Sequence, residues 1–305
     1  MCDNVKNITM IQLRNVIKDY ENIDIEFVDI RKKMHEFSES FGQTVTDRQE
    51  NRLYSGEFTL TIYFRLFIAE LFPELDKAVY IDSDTVINDD IAKLYSVDIG
   101  DAMFGAVRDT FAGKNTILAH YIENVVGIER NEYVNSGVLV MNLDKMRRTH
   151  LADRFLKLMA EYHFDSVAPD QDYINAICAK DIYFLDKEWN VMPNKGGEYM
   201  ARPKLIHFNL FDKPWHYSEI PYEEYFWQYA TESGFYPLLI KQREQYGDSE
   251  RSADRENLKK LLARAENIAD GDGVKFSDVV GNRFVENSDF VRDSDFVRDS
   301  SDAVK

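Results

Sequence analysis

The run SGVLVMNL, residues 136–143, constrains the fold of this chain most strongly. It carries no charge and has apolar side chains on both alternating faces, which is typical of a strand covered by other elements on both sides. A second apolar stretch, Ala78–Ile81, has the same character. Strands of this kind occur in sheets with helices packed on both faces, and such sheets are mostly parallel.

Helical patterns lie around these strands. Apolar residues at helical spacing predict four helices, over Met10–Tyr20, Phe58–Phe72, Arg154–Tyr162 and Asp170–Cys178. Alternation of apolar and acidic residues predicts a further strand over Ile23–Ile30. Helices that alternate with strands predict an α/β fold with a single mixed, mostly parallel sheet flanked by helices. In such sheets ligands bind beyond the carboxyl ends of the strands.

The composition changes after Gly247, and we predict a boundary there between residues 1–247 and a C-terminal region, 248–305. Asp254–Ala269 has the apolar stripe of one amphipathic helix. Beyond it the hexapeptide SDFVRD occurs at 288–293 and 294–299, after a degenerate copy, NRFVEN, at 282–287. Three such units are too few to stabilise a solenoid, so we expect an acidic, weakly ordered tail.

The charge balance excludes one class of partner. The 305 residues include 54 Asp and Glu against 37 Lys and Arg, which gives a net charge of −17. Such a surface repels nucleic acid. No apolar run approaches the roughly 20 residues that span a bilayer. Two cysteines, Cys2 and Cys178, and an N-terminus without a signal-peptide pattern favour a cytoplasmic protein. Peripheral membrane association and the oligomeric state stay open.

Two acids follow the strand Ala78–Ile81 at its carboxyl end. Asp82 and Asp84 are separated by Ser83, and residues i and i+2 of an extended segment face the same side. Carboxylates held together repel unless a cation lies between them or one of them takes a proton. A hard divalent ion is a suitable cation. The pattern occurs in phosphatases, kinases and transferases and also in ordinary loops, so by itself it leaves all of these open.

His207 and Lys213 lie in the segment IHFNLFDKPWHY. An imidazole beside two carboxylates suits Mn²⁺ better than Mg²⁺ or Ca²⁺. Lys213 is a compact cation suited to a phosphate group. A single histidine is commonly structural, so both assignments depend on the segments that accompany them.

Two short polar motifs complete the set. Asn135 and Ser136 precede the buried strand in YVNSGVLVMNL, where a turn alone would also explain them. Asp170 and Gln171 open the segment DQDYIN, where Asp170 also suits the N-cap of a helix. Taken singly, neither motif distinguishes a binding site from ordinary structure.

Together, the four segments resemble the family-8 retaining glycosyltransferases. The motifs that carry the resemblance are Asp82-Ser83-Asp84, Asn135-Ser136-Gly137-Val138, Asp170-Gln171-Asp172, and His207 followed by Lys213-Pro214-Trp215. The segment YFRL, with Arg65, is also similar to the family's helix whose arginine faces the donor. The resemblance covers about Asn7 to Tyr229 and implies a GT-A fold, a nucleotide-binding α/β sheet.

The resemblance further implies a hexosyltransferase that moves glucose or galactose from a UDP-sugar to a glycan or glycolipid acceptor with retention of configuration. Asp82, Asp84 and His207 would bind Mn²⁺, with Mg²⁺ as the alternative ion. The residues implied to contact the donor and its ion are Arg65, Asp82, Ser83, Asp84, Asn135, Ser136, Asp170, Gln171, His207 and Lys213.

Three of these residues are implied to take part in the chemistry, namely Asp170, Gln171 and Lys213. Retention requires either a carboxylate nucleophile or departure and attack on one face of the sugar. Gln171 is a poor nucleophile, and Asp170 is the nearby carboxylate that the motif offers. We therefore favour same-face displacement, with the departing phosphate taking the acceptor's proton and Lys213 neutralising the leaving group.

The sequence departs from the family pattern in two places. The strand, helix and strand with which the family opens, including its base-binding residues, have no counterpart before Asn7, so we expect an N-terminally shortened sheet. Leu210 stands where many relatives have glycine. These departures leave open a non-catalytic protein that binds metal and diphosphate without efficient base recognition. Metal-dependent phosphoryl transfer is a third alternative.

Overall fold

The computed structural model describes residues 5–29, 52–53, 56–57, 60–194 and 199–283. Its main sheet has four strands, β1 (Lys77–Ile81), β3 (Phe104–Arg108), β4 (Val134–Asn142) and β5 (Ile182–Phe184), in the order β1-β4-β3-β5. A small antiparallel sheet joins β2 (Thr85–Ile87) to β6 (Leu205–His207), and Arg52–Leu53 pairs with Gly56–Glu57. The predicted mixed α/β sheet is therefore confirmed.

The prediction that the strands of the sheet are mostly parallel is wrong for the described residues. Strand β4 runs antiparallel to both β1 and β3, and β3 is parallel to β5. The apolar run in β4 indicated burial on both faces, and its first eight residues are buried. Burial depends on the layers that cover a strand and not on its direction, so the pattern could not reveal the reversal.

The antiparallel pairing of β1 with β4 positions the polar motifs. Ile81 pairs with Val138, and the Asp82 amide donates to the Gly137 carbonyl at 2.8 Å. The carboxyl end of β1 therefore lies beside the amino end of β4. A parallel neighbour would have brought its carboxyl end to this edge instead, so the reversal is what places Asn135 and Ser136 next to the two acids.

Twelve α-helices surround the sheets in the described residues: α1 (Asn7–Ile17), α2 (Ile68–Leu71), α3 (Ile91–Tyr95), α4 (Thr110–Lys114), α5 (Thr116–Tyr121), α6 (Leu143–Arg148), α7 (Leu151–Tyr162), α8 (Pro169–Cys178), α9 (Glu223–Glu232), α10 (Tyr236–Gln245), α11 (Asp248–Asp270) and α12 (Phe276–Arg283). Short 3₁₀ segments span Leu60–Phe67, Ala179–Asp181 and Lys187–Trp189, and a π turn spans Ile122–Val126. Among the residues the structure describes, no helix is long and apolar enough to cross a membrane.

Most predicted helices are confirmed with shifted ends. The predicted helix over Phe58–Phe72 is mostly a 3₁₀ helix that passes into α2, and Phe58 lies outside the described residues. The predicted strand over Ile23–Ile30 is wrong in its described part, because only Asp29 forms an isolated bridge. Ile23 is exposed, and a half-buried strand needs both a partner and a covering layer.

The C-terminal helices pack onto the main core. Leu261 and Ala265 of α11 are buried, and α11 packs against α5. Phe276 of α12 is completely buried, with its ring 4.1 Å from that of Phe164 and 4.9 Å from that of Tyr173. The boundary at residue 247 stays a prediction. The two full SDFVRD copies lie outside the described residues.

Candidate active site

Two carboxylates and an imidazole meet at the edge where β1 ends. Asp82 and Asp84 lie in the turn between β1 and β2, and His207 is the last residue of β6, paired with Thr85 of β2. One ligand atom of each acidic side chain and of the imidazole lies within 4.8 Å of the others. Nε2 of His207 is 3.2 Å from Oδ1 of Asp84 and 3.8 Å from Oδ2 of Asp82.

The two carboxyl groups have different electrostatic surroundings. Burial raises the pKa of the Asp82 carboxyl, and the charge of Arg65 and a hydrogen bond from Tyr80 only partly offset it. Burial would also raise the pKa of the Asp84 carboxyl, but the hydrogen bonds and charges of His207 and Lys213 hold that pKa below its ordinary value. A site that gathers this much partly buried negative charge is suited to a cation.

Lys213 already supplies one positive charge here. Its Nζ contacts both the Asp84 carboxylate and the Phe208 carbonyl. The loop between His207 and Lys213 includes Leu210, whose φ of +55° lies in the left-handed region that side chains other than glycine avoid. The loop thus turns back tightly enough to bring the ammonium group to the acids.

Arg65 connects the acids to the amino end of α8. Its Nη1 donates to the Ser136 carbonyl at 2.6 Å and lies 3.1 Å from Oδ2 of Asp170, while Nη2 lies 3.1 Å from Oδ1 of Asp82. The guanidinium is 4.4 Å from the centre of the Tyr80 ring, and the Tyr80 hydroxyl donates to Asp82 at 2.6 Å. Arg65 is 8% exposed, so these charge-assisted hydrogen bonds are largely shielded from water.

Close packing around Gly137 excludes a side chain there. A Cβ on Gly137 would overlap Cε1 of His207 and would lie 2.7 Å from its Nδ1 and 2.8 Å from Oδ2 of Asp82. Real Cβ atoms do not approach other atoms this closely. The glycine therefore lets the imidazole and the first carboxylate share the space above β4.

A chain of amide side chains holds His207 from behind. The Gly137 amide donates to Oδ1 of Asn135 at 3.0 Å, so this oxygen is identified by a backbone donor. Nδ2 of Asn190 donates to the same Oδ1 at 2.8 Å. Oδ1 of Asn190 therefore faces Nδ1 of His207, 3.1 Å away, and must accept its proton. This assignment leaves Nε2 to face the acids.

The same logic orients Gln171. The Ser136 amide donates to Oε1 of Gln171 at 3.0 Å, and Nδ2 of Asn135 donates to it at 3.1 Å. Nε2 of Gln171 then donates to Oδ2 of Asp109 at 3.3 Å. The other carboxylate oxygen of Asp109 caps α4 by accepting from the Ala112 amide. The amide plane of Gln171 is thus fixed on both sides.

The two acids of DQD have separate surroundings. Asp170 faces the site, where it accepts from Ser136 Oγ at 2.9 Å. Asp172 is completely buried and accepts from the hydroxyl groups of Tyr121, Tyr133 and Ser166. Burial raises the pKa of the Asp172 carboxyl, although these hydrogen bonds oppose the rise. Asp172 therefore anchors α8 in the core, while Asp170 is at the site.

Comparison with known proteins shows the family of this chain. The sequence model for glycosyl transferase family 8 matches residues 2–219. The chain belongs to this family.

Relatives of this family 8 member are distant. General stress protein A of Bacillus subtilis is 26% identical over 229 residues, covering 67% of this chain and 78% of the relative. A putative glycosyltransferase of Haemophilus influenzae is 30% identical over 135 residues, covering 44% of this chain but only 40% of its own length. The lipopolysaccharide 1,2-glucosyltransferase of Escherichia coli is 25% identical over 185 residues, covering 56% and 54%.

Solved structures share the GT-A fold of this family 8 chain. The galactosyltransferase LgtC superposes with a TM-score of 0.52 at 20% identity, covering 82% of this chain and 86% of LgtC. The bifunctional glycosyltransferase WbbM gives a TM-score of 0.65 at 21% identity, covering 80% of this chain and 45% of WbbM. At these identities the similarity establishes the fold alone.

Most of the site residues predicted from the sequence share one cavity of about 280 Å³. Those that line it are Arg65, Asp82, Asp84, Asn135, Ser136, Asp170, Gln171 and His207. Lys213 reaches the cluster through Asp84. Ser83 was also predicted to contact the donor, but its side chain is exposed in the turn and does not line this cavity.

The structure adds three positioning residues that sequence reasoning missed: Tyr80, Asp109 and Asn190. Asp109 follows an apolar strand as Asp82 does, so the same strand-end signal could have found it. Tyr80 was within the predicted strand, but nothing in the pattern linked its hydroxyl to Asp82. Asn190 lies 17 residues before His207, and only the fold brings them together.

Proposed function

We propose that this family 8 protein transfers a hexose, glucose or galactose, from a UDP-sugar to a glycan or glycolipid acceptor with retention of configuration. The observation that carries the proposal is the convergence of Asp82, Asp84, His207 and Lys213 at one edge of the sheet. Two carboxylates that bind a cation, beside a lysine that attracts phosphate, suit a metal–diphosphate group. A cytoplasmic location is part of the proposal.

The donor set fits Mn²⁺. Asp82 and Asp84 offer carboxylate oxygens, and the hydrogen bond from His207 Nδ1 to Asn190 leaves Nε2 as a ligand atom. One nitrogen among hard oxygen ligands suits Mn²⁺ better than Mg²⁺. When bound, the ion would supply positive charge against the diphosphate of the donor.

Two cations of the chain would act on the leaving group and on the site around it. Lys213 would stabilise the negative charge that develops on the diphosphate as the anomeric bond breaks. Arg65 holds Asp82, Ser136 and Asp170 in fixed relative positions. Preorganised groups need no rearrangement when charge develops, which is why their fixed placement matters for rate.

The surroundings of Asp170 support same-face displacement. Its Oδ2 is engaged by both Arg65 and Ser136, so this oxygen is not free to attack the sugar. Gln171 has its amide fixed by Ser136, Asn135 and Asp109, and it would orient the donor sugar. The departing phosphate would accept the acceptor's proton. A glycosyl adduct on Asp170, detected by intact mass after incubation with donor, would contradict this mechanism.

Calorimetry with UDP, followed by a donor screen, tests the proposal. UDP should bind in the presence of Mn²⁺ and bind much more weakly after chelation. A screen of UDP-hexoses for hydrolysis should then identify the donor, with the anomeric configuration of the released sugar followed by NMR. UDP binding with the same affinity in the presence and absence of Mn²⁺, or phosphatase activity without a sugar donor, would favour a different function.

A further inference from the structure

A second cavity of about 590 Å³ adjoins the site. The residues that line it include Arg108, Phe111, Lys114, Lys187 and Asn190. Phe111 also lines the cavity that holds the acids, and Asn190 bonds to His207. A molecule bound in this second cavity would therefore lie next to the place where the sugar is transferred.

The lining of this cavity is positive in a strongly acidic protein. Three cations line it, Arg108, Lys114 and Lys187, although the chain carries a net charge of −17. The acidic side chain among the described lining residues is Glu188, and its carboxylate accepts from Lys204 at 2.8 Å. The ion pairs found among the described residues include neither Arg108 nor Lys114.

An irregularity in β3 places Arg108 at this cavity. The register between β3 and β4 shifts between Ala106 and Arg108. Consecutive strand residues normally point to opposite faces, but a bulge redirects a side chain, and here both Val107 and Arg108 line the cavity. The Arg108 guanidinium lies 3.6 Å from the centre of the Phe184 ring, a contact that holds the cation at the surface of the sheet.

We propose that this second cavity binds the acceptor, and that the acceptor is a saccharide carrying a carboxylate or phosphate group. The proposal rests on the proposed function, because it takes the acid cluster as the donor site. Arg108 and Lys114 would hold the anionic group. Phe111 and the exposed ring of Tyr199 offer apolar surface to the sugar. The Asn115 and Asn194 side chains supply polar groups for hydroxyls.

Binding of matched small probes tests this proposal directly. Glucose, glucuronate, glucose 6-phosphate and inorganic phosphate are titrated separately into the full chain, without nucleotide or metal, and followed by ligand-observed NMR. At least one of the two charged sugars should bind about tenfold or more tightly than glucose at low salt. Because the cations are exposed, this preference should weaken at high salt. The two charged sugars distinguish carboxylate from phosphate.

Charge-removing variants locate the site. Arg108→Gln and Lys114→Gln should each lower the affinity for the more tightly bound charged sugar by roughly threefold to tenfold. The matched controls Arg255→Gln and Lys241→Gln remove exposed cations from other helices and should leave it unchanged. Equal binding of charged and neutral sugars, or equal loss in the controls, would overturn the proposal. Inorganic phosphate that binds as tightly as glucose 6-phosphate would overturn the saccharide part.

The proposed donor site is tested separately, by measuring Mn²⁺-dependent UDP binding to the parent protein. If UDP fails to bind while a charged sugar binds and responds to Arg108→Gln, the proposed donor chemistry is wrong and the anion site stands. If UDP binds and no charged sugar is preferred, the acceptor proposal alone is wrong.

Discussion

Nδ1 of His207 lies 3.1 Å from Oδ1 of Asn190, and this hydrogen bond determines which nitrogen of the imidazole faces the acids. The orientation of Asn190 follows from Asn135, whose Oδ1 is identified by the Gly137 amide. A backbone N–H therefore determines the histidine tautomer through two side-chain amides. Partners of this kind orient metal-binding histidines and raise their affinity for the ion.

Asn190→Ala should weaken Mn²⁺ binding by about 10- to 100-fold, because His207 loses the acceptor that orients it. Electron paramagnetic resonance of free Mn²⁺ measures the affinity, and ¹⁵N chemical shifts of the imidazole report the tautomer. Asn124→Ala removes another Asn–His hydrogen bond, on the surface with His120, and should not change the affinity. Unchanged Mn²⁺ affinity in Asn190→Ala would show that Asn190 has no role in positioning.

Gly137→Ala should abolish Mn²⁺ binding, because its Cβ occupies the space of the His207 ring and of Oδ2 of Asp82. Overpacking a buried position of this kind also lowers the free energy of unfolding by about 1–3 kcal/mol. Gly234→Ala is the matched control, since a Cβ there meets nothing within 4 Å. Metal titration and thermal unfolding of both variants make the comparison. Parent-like metal affinity in Gly137→Ala would contradict the described packing.

Asp84→Ala should abolish Mn²⁺-dependent UDP binding with little loss of fold. Asp84 is in a turn and contacts His207 and Lys213, so its removal takes away a proposed ligand without opening the core. Asp272→Ala, which removes an exposed acid, serves as the charge-matched control. Calorimetry with UDP and circular dichroism separate binding from folding. A variant that binds UDP as the parent does would show that the metal assignment is wrong.

The sequence was sufficient to predict the strand-end acids and the distant residues that join them. Asp82 and Asp84 follow an apolar strand, and the order of the later motifs matched a family in which His207 and Lys213 converge on them. These signals lie in short segments or in the order of the motifs, so they can be recognised in the sequence without knowing how the strands pair.

The pairing and packing could not be predicted in the same way. The apolar run of β4 does not show that the strand is antiparallel to its neighbours, because both of its faces are buried whichever way it runs. Asn190 reaches His207 only because the chain passes close to β6, where Val191 bridges Ile206. Phe276 lies beyond the change in composition after Gly247, and its ring packs on Phe164 in the main core. Such contacts depend on tertiary packing rather than on local pattern.

Leu210→Gly should leave the fold as stable as the parent or make it more stable. A leucine at φ +55° carries roughly 1–2 kcal/mol of strain, which glycine relieves, and Leu210 is 40% exposed, so little burial is lost. Leu238→Gly, an exposed position in α10, is the control and should cost about 1 kcal/mol. Leu210 also lines the cavity of the acids. Glycine there would let the backbone approach the phosphates more closely, so the variant should bind UDP more tightly in the presence of Mn²⁺. Denaturant unfolding and calorimetry measure the two effects. Destabilisation of Leu210→Gly equal to that of Leu238→Gly would show that the loop is not strained at this residue.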